Sequence, residues 1–150
     1  MKLANALSER SELQTRIQQL AARLNNNALV QEGEEPPEDP EALLMELRGD
    51  YSRLEELIAR INRTNAATRV GEDTLSDLLA RRDCLTGELR IQRDFLDRAS
   101  SMVSRRTVGE IKIKSAVNVR ELQRTLDFQS RRLRELDELI QEKNWTTELL

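Results

Sequence analysis

The feature that most constrains this chain is an apolar step of three and four residues, sustained in four separate segments. Between residues 44 and 68 it reads Leu44, Leu47, Tyr51, Leu54, Ile58 and Ile61, and Asn65 and Thr68 continue the register with polar side chains. On a helix of about seven turns this spacing makes one stripe, which must be covered by other helices to leave water.

Three more segments carry a matching stripe. The first helix is expected over about 3–26, with Leu3, Ala6, Leu13, Ile17, Leu20 and Leu24 on the stripe and Arg10 interrupting it. The poor helix formers Asn25-Asn26-Asn27, which tolerate left-handed geometry, should end it. A proline-rich acidic loop follows, and Asp39-Pro40 offers a cap and a first-turn proline for a second helix over about 40–68. A short turn around Gly71 makes the next helix, about 75–103, an antiparallel neighbour; Thr74 to Asp77 has a capping-box layout. Its stripe runs through Leu75, Leu78, Leu85, Leu89, Leu96, Ala99 and Val103, interrupted by Arg82 and Gln92. The fourth helix, about 119–144, is capped by Asn118 with Glu121. It aligns Val119, Leu122, Leu126, Leu133, Leu136 and Ile140, with Gln129 interrupting.

The helical step fails between the third and fourth helices. Ile111, Ile113, Val117 and Val119 alternate with Lys112, Lys114 and Asn118, which predicts a strand over about 110–117. A lone strand needs an edge, and Leu29 and Val30 form the other β-prone piece. In an up-down-up-down chain the first and third connections share one end. From Glu32 to Asp50 every charged residue but Arg48 is acidic; from Arg98 to Arg124 only Glu110 and Glu121 are acidic. The expected fold is therefore mainly all-α. It is a single helical domain, an elongated antiparallel four-helix bundle or set of coiled-coil hairpins, with a small two-stranded β ribbon at one end.

The ribbon would be marginal alone, so either the helices back it or a second copy completes it. The candidate interface is thus Leu29, Val30, Ile111, Lys112, Ile113, Lys114 and Val117, with Trp145 as a partner's anchor or as a lid over the first helix. The polar stripe residues Arg10, Asn65, Arg82, Gln92 and Gln129 have two readings: they fix register and partner choice, or they reach water along the flank of a narrow bundle.

Chemistry is restricted by what the chain lacks. With no histidine, Ser-His and Cys-His nucleophile pairs, most zinc sites and Glu-x-x-His di-iron ligands are excluded. No glycine-rich loop follows a strand. No catalytic residue, cofactor or metal is expected. The single cysteine, Cys84, rules out an internal disulfide and fits a reducing compartment. No signal peptide or membrane span is expected, so the reading is cytoplasmic. A net charge of −3 and 3% aromatic residues argue against nucleic acid, although the basic patch over 98–124 keeps a nucleic-acid-binding accessory protein as an alternative.

Several stretches resemble a small bacterial family of helical proteins labelled septicolysin-like. They are Asn27-Ala28-Leu29-Val30-Gln31-Glu32-Gly33-Glu34, Glu38-Asp39-Pro40, Ile61-Asn62-Arg63-Thr64-Asn65, Thr74-Leu75 with Arg82-Asp83, and Asn144-Trp145-Thr146-Thr147. The resemblance implies long helices and self-association and carries no catalytic residues. Its label also implies a thiol-activated pore-forming cytolysin. Such toxins are large and β-rich, with a tryptophan-rich loop around the cysteine, whereas Asp83-Cys84-Leu85-Thr86-Gly87 sits in a helical pattern. The expected function is a non-enzymatic structural or interaction protein that forms a dimer or larger ring, with an unidentified protein partner as a further possibility.

Overall fold

The computed structural model describes residues 1–101 and 112–150. Among the described residues the chain forms four helices and one two-stranded antiparallel sheet. In order these are α1 (Leu3–Asn26), α2 (Pro40–Ala67), β1 (Arg69–Val70), β2 (Asp73–Thr74), α3 (Leu75–Ser100) and α4 (Val119–Thr146). The contacts divide the chain into two compact units, Met1–Thr74 with Lys143–Leu150, and Leu75–Glu142.

In the first unit α1 and α2 pack antiparallel, as their ion pairs require. Glu9 meets Arg53, Arg16 meets Asp50 and Arg23 meets Glu38, one number rising as the other falls. From α1, Leu3, Ala6, Leu13 and Leu20 are buried, and Arg10, Ile17 and Leu24 are half-buried on the same stripe. Asp39 caps α2 by accepting from the Glu41 N–H at 3.1 Å, and Pro40, with no N–H to satisfy, occupies the first turn. Asn27 ends α1 with φ −112°, so no left-handed residue is needed there. Its side chain, 6% exposed, donates to Arg23 O at 2.7 Å and accepts from the Glu38 N–H at 2.9 Å, which closes the base of the acidic loop.

The last residues complete this unit. The Leu3 N–H, an orphan donor at the start of α1, is satisfied by Thr147 O at 2.9 Å, and the Leu149 N–H donates to Met1 O at 2.8 Å. Thr64, wholly buried on α2, donates to Arg60 O at 2.8 Å and accepts from the Leu150 N–H at 3.0 Å. Lys2 and Glu148 form an isolated antiparallel bridge.

The small sheet is not the pairing expected. It joins Arg69 to Thr74 and Val70 to Asp73 around Gly71, whose φ of 65° suits a residue without Cβ. Ala28–Gln31 and residues 112–117 form no strand, and residues 110 and 111 lie outside the described residues. Alternating β-branched residues without a paired edge do not make a strand.

In the second unit α3 and α4 pack antiparallel. Leu89, Leu96 and Leu126 form its buried cluster, with Leu85, Val119, Leu122 and Leu133 packed against it. The same sense appears in the Arg93 to Ser130 hydrogen bond at 2.6 Å and the Arg82–Asp137 approach at 4.0 Å. Asn118 caps α4, its Oδ1 accepting from the Glu121 N–H at 3.2 Å. Helix α4 runs two residues beyond the expected end and carries Trp145 within it.

Candidate interaction surface

Helix α2 presents two different apolar rows either side of Leu47, Leu54 and Ile61. One row is Leu43, Asp50, Leu57 and Thr64, and it is buried. The other is Leu44, Tyr51 and Ile58, at 43%, 54% and 38% exposure, with Asn65 half-buried at its end. The stripe read from sequence assigned the second row to the interior. The structure buries the first, although it contains the two polar members, because each of those has a partner. Asp50, 6% exposed, receives Arg16 Nε on Oδ2 at 2.7 Å and Arg16 Nη2 on Oδ1. Thr64 is satisfied at both its donor and its acceptor.

Electrostatics support that choice of face. Arg53 donates to both Glu9 oxygens, at 2.6 and 3.0 Å, and holds the Glu9 carboxyl below its ordinary range. Arg23 does the same for Glu38, with contacts down to 2.5 Å. These guanidiniums are raised in turn by their carboxylate hydrogen bonds. Bidentate pairs of this kind fix geometry better than single-point Lys contacts, and the basic residues of this chain are nearly all Arg.

Tyr51 and Ile58 of the outward row line a groove along α2 together with Leu47, Arg48, Leu54 and Glu55. A second groove, between α1 and α2, adds Gln14, Ile17 and Gln18 to Tyr51 and Leu54.

Of the interface residues expected from sequence, Leu29, Val30 and Trp145 belong to the first unit and Lys112, Ile113, Lys114 and Val117 to the second. Leu29 is 90% exposed and Val30 50%; neither belongs to a ladder. Lys112, Ile113 and Lys114 are exposed, Val117 is half-buried, and Ile111 lies outside the described residues. Trp145 is 63% exposed, so it is not a lid over α1. All five polar stripe residues are half-buried. Arg82 bonds Asp83 at 3.0 Å, and Gln92 donates to Glu88 at 3.4 Å while its Oε1 is buried without a partner. Gln129 lines a cavity between α3 and α4 with Leu85 and Leu136, beside the exposed thiol of Cys84.

Among the described residues no group of three or more Cys, Asp or Glu side chains could hold a metal ion. None of the described helices is long and apolar enough to cross a membrane.

Fold and surface together define a mostly helical protein whose second helix carries an uncovered apolar face. The chain belongs to a family of unknown function, DUF6847, which it matches over residues 10–149. It is also similar to a solved structure described as a functionally unknown conserved protein from Corynebacterium diphtheriae. The two are 38% identical, with a TM-score of 0.93 over 100% of this chain and 99% of that one. No curated protein matches. These matches correct the septicolysin-like assignment: neither carries that label.

Proposed function

We propose that this chain is a non-enzymatic interaction protein that assembles with itself. One observation carries the reading: Leu44, Tyr51 and Ile58 stand in a row on the outside of α2 at exposures of 43%, 54% and 38%. Leaving such a row in water forgoes roughly 1–2 kcal/mol per large side chain that a partner surface would recover. The heptad spacing of the rows on α2 suits coiled-coil-type packing against further helices. The exposed, unpaired Cys84 fits a reducing, cytoplasmic setting.

The test is the mass in solution by light scattering coupled to gel filtration, from low to high micromolar protein. The 17.3 kDa chain should give at least twice its monomer mass at the upper concentrations. A monomer throughout overturns the proposal.

A further inference from the structure

The exposed face of α2 is complementary to itself. At about 100° per residue, Leu44, Tyr51 and Ile58 form its crest. Leu47 and Leu54 lie on the flank toward the buried row, while Arg48 and Glu55 lie on the opposite flank, both exposed. Neither Arg48 nor Glu55 makes an ion pair with any described residue. Two opposite charges one heptad apart, on one side of an apolar crest, have no use for each other within a single helix, because only neighbours three or four residues apart meet there.

We infer that two copies of this chain pair through α2, antiparallel, about a two-fold axis passing Tyr51; the inference rests on the self-association proposed above. Residues equidistant from Tyr51 then stand level, so Leu44 faces Ile58 of the second copy and Tyr51 meets its own equivalent. An antiparallel two-fold sets each flank beside the same flank of the second copy. Arg48 and Glu55 of the second copy come level to within about 1.5 Å and pair reciprocally. Leu47 and Leu54 do the same on the apolar flank.

Electrostatics select this register. Sliding the pair by one heptad keeps the crests in contact but sets Glu55 beside Glu55, or Arg48 beside Arg48. A parallel pair would turn the charged flank onto Leu47 and Leu54, stranding both charges. The antiparallel arrangement also brings the two copies of α1 to one side, where the groove of Gln14, Ile17 and Gln18 borders Tyr51 and Leu54. The product is a four-helix bundle made from two α1–α2 hairpins.

The experiment uses the full chain with Cys84→Ala as background. With helix axes about 8–10 Å apart and Cα atoms about 2.3 Å from each axis, the two Tyr51 Cα atoms lie about 3.4–5.4 Å apart, a range whose upper half is within disulfide reach. Tyr51→Cys should therefore cross-link to a dimer under mild oxidation, while Leu44→Cys, about 21 Å from its own equivalent along the helix, should not. Arg48→Glu should raise the dimer dissociation constant at least about tenfold, and Arg48→Glu/Glu55→Arg should restore it. A dimeric mass with no Tyr51→Cys cross-link, or with no rescue by the double reversal, overturns this pairing and leaves self-association standing. A monomeric mass overturns both.

Discussion

The pair between Arg16 and Asp50 gives the sharpest test of why α2 turns its polar row inward. Asp50 is 6% exposed, whereas the Arg16 side chain is 53% exposed. The two partners are therefore unequal: Arg16 can be solvated without Asp50, but Asp50 depends on Arg16. Arg16→Met keeps the aliphatic stem and removes the guanidinium, leaving a carboxylate desolvated and unpaired. That costs about 1–3 kcal/mol, and the half-exposed site places it near 1.5 kcal/mol. For a chain of this size the midpoint of thermal unfolding should drop by roughly 3–6 °C. Asp50→Asn in the same background removes the stranded charge and should recover at least half of the loss. Urea unfolding followed by far-UV circular dichroism reads both variants, with an unchanged slope as the check that the end states are comparable. An Arg16→Met cost below about 0.5 kcal/mol, or no recovery in the double variant, would refute the argument that Arg16 licenses the buried carboxylate.

Two further outcomes follow from burial and charge. Leu57→Ala, at a wholly buried position, should cost about 2–4 kcal/mol in urea unfolding, while Leu29→Ala, at 90% exposure, should change stability by less than about 0.5 kcal/mol. Glu9, Glu38 and Glu148 are held below the ordinary value of 4.5 by hydrogen bonds from Arg53, Arg23 and Lys2 respectively. A lowered folded-state pKa stabilises above the unfolded value, so their contribution is full at neutral pH and is lost as pH falls below 4.5 through the folded values. Thermal midpoints should be flat between about pH 6 and 8 in this histidine-free chain and fall under acid, less steeply for Glu9→Gln.

The four helices were legible because long periodic stripes dominate local preference; α1 runs over Leu3–Asn26 as the spacing requires. The side of α2 that packs was not legible. The rows through Leu43 and Leu44 share Leu47, Leu54 and Ile61, so apolar count alone favoured Leu44, Tyr51 and Ile58 over a row holding Asp50 and Thr64. The deciding partners, Arg16 and Leu150, are 34 and 86 residues away and leave no local signal. A small two-stranded sheet was expected and is present, but its position was not legible, for a related reason. Strands of two residues have no period, and Arg69 to Thr74 reads only as a turn, whereas the alternation near Ile113 reads as a strand but gains no ladder. The groove on α2 was concealed in a stripe assumed to be wholly interior.

The clasp at Asn27 has a consequence for how this chain can change over time. Arg23, Asn27 and Glu38 tie the two helices together across 11 residues of sequence, so the segment between them transmits no structural information from one helix to the next. Its closure is set by the knot at its base rather than by its own residues, and doubling its length would cost only about 0.6 kcal/mol. This is the point where inserted sequence, up to a small folded module, can be carried without disturbing the hairpin or the crest it displays.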